Sequence, residues 1–182
     1  MIARDISGAN ITLNAAPTYN GTEQTITINK VEVGSMMLPQ DTDYTIESGN
    51  KATDVAETVL KIKGIGNYTG EASTTWKLLQ KSINDAMLAS VDSQPYTGSA
   101  ITPKPEVTDG STLTENTDFT YSYEANTYVG TATVKITGRG NYTGTAEKTF
   151  SITPLNQTPT ITAAAPLAKG GNTLDLCTLV SN

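Results

Sequence analysis

Two nearly identical glycine-rich heptapeptides are the residues of this chain most suited to chemistry. They read GIGNYTG, from Gly64 to Gly70, and GRGNYTG, from Gly138 to Gly144. A glycine-rich turn can cradle a phosphate, but the dinucleotide fingerprint needs its third glycine one residue earlier and a helix directly after the turn. Residues 71–78 instead alternate like a strand. The sequence therefore argues against a nucleotide site.

A structural role is the favoured interpretation of both motifs. A chain reversal needs residues with positive φ, which a Cβ penalises and glycine adopts freely. The tyrosine that follows would then insert its ring into the end of the core, with its hydroxyl bonded to backbone, as in the tyrosine corner of sandwich folds. The predicted turn residues are Gly64, Gly66, Gly138 and Gly140, and the predicted buried rings are those of Tyr68 and Tyr142.

Both motifs also contain the Asn-x-Thr triplet that accepts N-linked glycans. The triplet begins at Asn10, Asn20, Asn67, Asn141 and Asn156. Because the chain contains 32 threonines, such triplets arise by chance, and the structural interpretation takes precedence over glycosylation.

Two groups of carboxylates could in principle hold an oxygen-ligated Ca²⁺. They are Asp41, Asp43, Asp54 and Glu57 in one stretch and Glu115 and Asp118 in another. Their spacing matches no defined calcium loop, and solvated turn carboxylates are commoner, so no metal is expected. Lys61 and Lys135 could be imagined in isopeptide bonds with asparagine, but the alternation of their strands places both side chains on the solvent face.

Catalytic residue types are scarce. The absence of histidine removes His-based triads and imidazole metal sites. Cys177, the single cysteine, lacks a base and is predicted to be a small apolar strand residue. Paired carboxylates, as in glycosidases, stay open, but small sandwiches offer them no deep cleft. We expect no enzyme, no cofactor and no catalytic residue.

Composition predicts an all-β protein. Threonine and tyrosine, which favour pleated and half-buried surfaces, dominate over helix formers. A net charge of −6 argues against nucleic acid and against a polybasic membrane patch. No apolar run approaches the roughly 18 residues of a spanning helix, so we expect no membrane insertion. The chain opens with strand-like alternation, so we expect either that a targeting segment was removed before Met1 or that the protein has none.

A repeat of about 75 residues organises the chain. Tyr19 aligns with Tyr96 in a Tyr-x-Gly triplet, and Trp76 aligns with Phe150 after the glycine motif. The alternating residues of the predicted strands are Ala9, Ile11 and Leu13, Ile26 and Ile28, Tyr44 and Ile46, Leu60 and Ile62, and Trp76 and Leu78 in the first repeat, and Ala86 and Leu88, Phe119, Tyr121 and Tyr123, Val134 and Ile136, and Phe150 and Ile152 in the second.

Six or seven short strands per repeat predict tandem immunoglobulin-like β-sandwich domains. The predicted domains are residues 1–80 and 81–154, with residues 155–182 as the start of a different module or a C-terminal tail. The connection at 78–82 has no flexible spacer, so we expect the pair to form a semi-rigid rod.

The order of motifs in the second repeat carries a family likeness. Tyr-Thr-Gly is followed by TDFTYSY, by the VGTATV stretch at 129–134, by GRGNYTGT and by FSI at 150–152. This order resembles the immunoglobulin-like repeats of bacterial cell-surface and secreted proteins. The likeness covers residues 81–154 closely and 4–80 more loosely, where VAET at 55–58 replaces the VGTA stretch. It implies extracellular stalk or adhesion modules in tandem, without catalysis, and transfers no binding site.

The sequence thus predicts a non-catalytic adhesion or stalk module at the cell surface. Its expected partners are flanking domains of the same polypeptide and other proteins or host glycans, with the ligand unknown. One alternative is a carbohydrate-binding accessory module of a larger secreted enzyme, for which Tyr128 is the only obvious exposed aromatic candidate. Another is a decorating domain of a phage structural protein, which would need no signal peptide.

Overall fold

The computed structural model describes residues 2–155, and within them the protein is all-β, as the composition predicts. One three-residue 3-10 helix, Asp85–Met87, accompanies the strands, and this range contains no α-helix. No helix of residues 2–155 is long and apolar enough to cross a membrane. The segment predicted for 155–182, apart from Leu155, and Cys177 within it lie outside the described residues.

Ten strands lie in residues 2–80, which we call the first half, and residues 81–155 are the second half. They are β1 (Arg4–Asp5), β2 (Asn10–Leu13), β3 (Gln24–Thr25), β4 (Ile28–Val33), β5 (Met36–Met37), β6 (Tyr44–Ser48), β7 (Lys51–Ala52), β8 (Glu57–Gly64), β9 (Tyr68–Thr69) and β10 (Glu71–Lys77). Two three-stranded antiparallel sheets, β2-β4-β5 and β10-β8-β6, contribute side chains to one hydrophobic cluster. The alternation predicted for β8 is confirmed, with Leu60 and Ile62 buried and Lys61 exposed.

Six strands occupy the second half. They are β11 (Lys81–Ser82), β12 (Gln94–Pro95), β13 (Phe119–Glu124), β14 (Gly130–Gly138), β15 (Tyr142–Thr143) and β16 (Thr145–Thr153). The main sheet has the order β12-β16-β14-β13, with β12 parallel to β16 and the other pairs antiparallel. Val134 and Ile136 are buried as predicted, whereas Lys135 between them is half-buried rather than fully on the solvent face.

The buried side chains of residues 2–155 form two clusters. One is built from residues between Ile6 and Leu78, including Trp76, and the other from residues between Ile83 and Ile152. Tyr19 packs against both clusters. No spacer separates them, because Leu78 ends the first cluster and β11 begins three residues later.

The strand predicted around Ala86 and Leu88 is wrong. Asn84 caps the 3-10 helix, its side-chain oxygen accepting the backbone N–H of Ala86 at 3.0 Å. This local bond offers the backbone an alternative to a sheet ladder, which is how asparagine competes with regular structure. As a consequence Met87 and Leu88 are both buried, and the two-residue alternation is lost.

Candidate functional site

Each glycine motif forms the tight connection between two antiparallel strands of its sheet. In the second half, Gly138 N–H donates to Gly144 O at 2.9 Å as β14 passes into β16, and the first half has the same bond, from Gly64 to Gly70, at 3.0 Å. A strand therefore follows each motif, as predicted, and not the helix that a dinucleotide loop requires.

The positive φ predicted for four glycines is found at only two of them. Gly66 and Gly140 have φ of 64° and 59°, but Gly64 and Gly138 are not in the left-handed region. These two are required by close packing instead: a Cβ on Gly138 would lie 2.7 Å from the backbone nitrogen of Thr143. The third glycine of each motif, Gly70 or Gly144, also has positive φ.

Both turns pair with the strand that opens their half of the chain. β1 lies parallel to β9, and β11 lies parallel to β15. Arg4 N–H donates to Asn67 O at 2.9 Å, and Lys81 N–H donates to Asn141 O at 3.0 Å. The turn thereby positions the side chains of Asn141 and Tyr142 next to the connection between the two halves.

Tyr142 is only 4% exposed, which confirms the predicted burial of its ring. The predicted bond from its hydroxyl to backbone is wrong, because the hydroxyl donates to Asp109 Oδ2 at 3.1 Å. Lys81 Nζ lies 2.6 Å from the same oxygen and 2.7 Å from Oδ1, so the carboxylate is compensated by a cation. Burial, and then the Asp109 carboxylate, raise the pKa of Tyr142 well above the value of free tyrosine.

The ring of Tyr142 is covered by a tyrosine from the first half. Tyr19 meets it edge to face, with 5.5 Å between the ring centroids. This geometry places the positive ring edge of one tyrosine against the negative face of the other, which is favourable beyond the area buried. Tyr68, in the first copy of the motif, packs against its own cluster but is only half-buried.

The side-chain amide of Asn141 connects the two halves directly. Val55 N–H donates to Asn141 Oδ1 at 2.7 Å, and Asn141 Nδ2 donates to Asp54 Oδ1 at 2.9 Å. Gln80 supplies a further link, since its Nε2 donates to Gly140 O at 2.9 Å and to the carbonyl of Tyr142 at 3.1 Å.

We call this set of contacts the junction: Tyr19, Asp54, Val55 and Gln80 on the first half, and Gly140, Asn141 and Tyr142 on the second. The junction contacts fix the orientation of one half relative to the other. The amide uses both its donor and its acceptor, so that a rotation of one half against the other breaks two hydrogen bonds together. The raised pKa of Tyr142 keeps its hydroxyl protonated above the pH at which free tyrosine ionises, so that it stays a donor to Asp109.

The acidic residues considered for calcium are dispersed among other tasks. Within residues 2–155 no three Asp, Glu or Cys side chains cluster in a way that could hold a metal ion. Asp54 belongs to the junction, Asp118 accepts the backbone N–H of Thr114 at 2.9 Å, and Glu115 pairs with Lys104 at 2.6 Å.

The other candidate residues occupy separate surfaces. Tyr128 is 75% exposed, as a sugar platform would require, and Lys61 is exposed on β8. Among the glycosylation triplets, the amide of Asn141 is engaged in the junction, and Asn20 accepts the backbone N–H of Thr22 at 3.0 Å. Asn67 is exposed, and Asn156 lies outside the described residues.

Sequence reasoning missed the junction because its two sides are 86 and 87 residues apart along the chain. The repetition of Asn-Tyr-Thr marks the turn, but nothing in the sequence connects Asn141 with Asp54. Sequence reasoning also missed that Tyr123 donates its hydroxyl to Pro103 O, at 2.8 Å, and that Tyr121 donates to Pro105 O.

Comparison of the chain with known proteins identifies no relative. No protein-family model matches the chain, and neither a curated protein nor a solved structure is similar to it. The function is therefore inferred from the junction and from the surfaces at the two ends of the described chain.

Proposed function

We propose that this chain is a non-catalytic segment of a bacterial cell-surface or secreted protein. In this proposal its tandem immunoglobulin-like sandwiches form a rod that serves as a stalk or adhesion module. Flanking domains of the same polypeptide, and other proteins or host glycans, are its partners. The resemblance of residues 81–154 to bacterial surface repeats supports an extracellular location.

The observation that carries the proposal is the junction. A stalk must transmit orientation from one unit to the next, which a flexible linker does not do. Here Asn141 grips the 54–55 loop through both its donor and its acceptor, and the Tyr19 ring closes over Tyr142. Surface hydrogen bonds contribute little energy singly, but several on one short connection restrict the angle between the units.

A paired substitution tests this role. Asn141→Ala removes the double hydrogen bond, whereas Asn67→Ala alters the same position of the first motif, away from the junction. Small-angle scattering and residual dipolar couplings should show one fixed orientation in the wild type and in Asn67→Ala, and a wide range in Asn141→Ala. Free rotation of the halves in the wild-type protein would contradict the stalk proposal.

Cellular location is tested separately. Antibodies against the chain should label intact cells of the source organism, and external protease should remove the signal. Labelling only after permeabilisation would refute the surface assignment while leaving the rod geometry intact.

The exposure of Tyr128 favours one alternative, a carbohydrate-binding accessory module. An aromatic ring in water can stack on a sugar ring, and adjacent Val129 is 51% exposed. A glycan-array screen should then give hits that Tyr128→Ala abolishes. Hits that persist in Tyr128→Ala would locate sugar binding elsewhere.

A further inference from the structure

We propose that the Asn67 corner of the first half is a docking surface for a second copy of this chain, joined head to tail. The contact would repeat the junction between molecules. This inference rests on the proposed stalk function and names the surface through which such a stalk is extended.

The Asn67 corner has the backbone of the Asn141 corner, but within residues 2–155 no other half of the chain contacts it as the first half contacts the Asn141 corner. The same four turn hydrogen bonds recur in both halves, with donor–acceptor distances that agree within about 0.2 Å: Gly64 to Gly70, Ile65 to Asp43, Tyr68 to Ile65 and Arg4 to Asn67, against Gly138 to Gly144, Arg139 to Asp118, Tyr142 to Arg139 and Lys81 to Asn141. The side-chain amide of Asn67, by contrast, makes no hydrogen bond to any residue of 2–155, and Asn67 is exposed.

A groove of the first half lies at the position that corresponds to the Tyr19 contact of the junction. It has a volume of about 280 Å³ and is lined by Ile2, Ala3, Arg4, Gly66, Asn67 and Tyr68. At the equivalent position of the second half, the Tyr19 ring lies on Tyr142 and leaves it 4% exposed. Since the turns are alike, the half-buried state of Tyr68 reflects different surroundings, because Tyr142 has both the Tyr19 ring and Asp109 beside it.

The opposite end of the chain carries the complementary groups. Tyr96 corresponds to Tyr19: each donates its backbone N–H to the strand end beside it, Tyr96 to Thr153 O at 2.9 Å and Tyr19 to Leu79 O at 2.8 Å. Val129 corresponds to Val55 by strand register. Val129 lies three residues before Ala132, which pairs with Phe150, and Val55 lies three residues before Thr58, which pairs with Trp76. Val129 N–H has no acceptor among residues 2–155.

We commit to a second copy as the occupant, because the junction shows the corresponding contact between the two halves of one chain. Its Val129 N–H would donate to Asn67 Oδ1, and its Tyr96 ring would enter the groove beside Tyr68. One element differs, because Tyr128 stands where the junction has Asp54, so the amide gains one hydrogen bond instead of two and the Tyr128 ring adds apolar area. Because the two surfaces are different, the association is heterologous, of the kind that gives head-to-tail chains or rings and not an isologous dimer.

Self-association of the full chain tests the inference. Amide resonances of a labelled sample should shift with concentration at the Asn67 corner and around Val129, with a dissociation constant of roughly millimolar order for so small a contact. Asn67→Ala should weaken the association about tenfold. Asn10→Ala, which removes an exposed asparagine of the same half outside the groove, should leave it unchanged.

Several results would overturn the inference. Spectra that do not depend on concentration, or an equal effect of the two asparagine variants, would show that the corner does not bind a second copy. Contacts between Val129 and residues 156–182 of the same molecule would assign that end to the chain itself. Shifts at Tyr128 that need an added oligosaccharide mixture would assign it to sugars. A fixed orientation of the halves together with any of these results leaves the stalk proposal standing.

Discussion

Replacing Phe150 by alanine tests whether the two halves of the chain have independent cores. Phe150 is 3% exposed on β16 and belongs to the second hydrophobic cluster. The only tryptophan, Trp76, lies in the first cluster, where its Nε1 donates to Gly49 O at 2.7 Å. Tryptophan fluorescence therefore reports on the first half alone, while the substitution is confined to the second.

The expected loss of stability follows from burial. Removal of a buried phenylalanine ring costs about 3–5 kcal/mol, because the transfer free energy is lost and a cavity remains. A unit of this size has about 4–11 kcal/mol of stability in total. Phe150→Ala should thus bring the second half close to unfolding in the absence of denaturant. Loss of the junction should cost the first half only about 1–2 kcal/mol, the value of a few exposed or part-buried hydrogen bonds.

Urea unfolding followed by two probes checks this prediction. Far-UV circular dichroism of Phe150→Ala should show an early loss of about half of the β-signal, with a midpoint lowered by about 3–5 M if the urea slope is near 1 kcal/mol per M. Trp76 fluorescence should keep a later transition. Ser151→Ala, an exposed neighbour on the same strand, is the control and should behave as the wild type.

Two outcomes would refute the reasoning. If circular dichroism and Trp76 fluorescence shift together by the full amount, the halves unfold as one cooperative unit and the predicted domains 1–80 and 81–154 do not exist as such. If neither probe moves, Phe150 does not carry the core of the second half. Trp76→Ala, read by circular dichroism, should give the reciprocal result, with a loss of about 3–5 kcal/mol in the first half.

Two further predictions concern the second glycine motif. Gly138→Ala should destabilise the second half more than Gly98→Ala in thermal unfolding, because its Cβ would meet Thr143 backbone at 2.7 Å, whereas Gly98 has open space around it and alanine there bears only the strain of φ at 79°. Equal losses would show that the close approach at Gly138 costs no more than positive-φ strain, which would contradict packing as the reason for glycine at this position. Burial and the carboxylate of Asp109 hold the pKa of Tyr142 above its unfolded value, so its contribution to stability is complete below about pH 10 and is lost as the pH rises through the folded pKa. Tyr142→Phe should therefore reduce the fall of the unfolding free energy that urea titrations measure at alkaline pH. If that fall is unchanged in Tyr142→Phe, other tyrosines cause it.

The strands could be predicted because side-chain alternation is a local property. Leu60 and Ile62 point inward and Lys61 outward for the simple reason that successive strand residues face opposite sides. The same rule failed near Asn84, where one side-chain hydrogen bond was enough to form a 3-10 turn in place of a strand. The alternation of apolar residues contains no information about such a capping hydrogen bond, and the strand was therefore predicted wrongly.

The candidate site was predictable only in part. The repeated motif predicted a tight turn and a buried ring, and Tyr142 confirms the ring. It did not predict Asp109 as the partner of the Tyr142 hydroxyl, because the two residues are 33 positions apart and Asp109 also depends on Lys81. The reason predicted for glycine at position 138 was wrong, since its φ is not in the left-handed region and a Cβ is excluded by the nearby backbone of Thr143.

The two copies of the motif show which of its properties belong to sequence and which to surroundings. The letters Asn-Tyr-Thr give the same backbone hydrogen bonds in both halves, so the turn itself is encoded locally. The burial of the tyrosine differs, because Tyr142 contacts the Tyr19 ring and donates to Asp109, whereas within residues 2–155 Tyr68 has no aromatic pair and no side-chain hydrogen bond. A motif of this kind is a turn in every repeat, and it becomes a contact only where an adjacent unit supplies a ring and a backbone N–H.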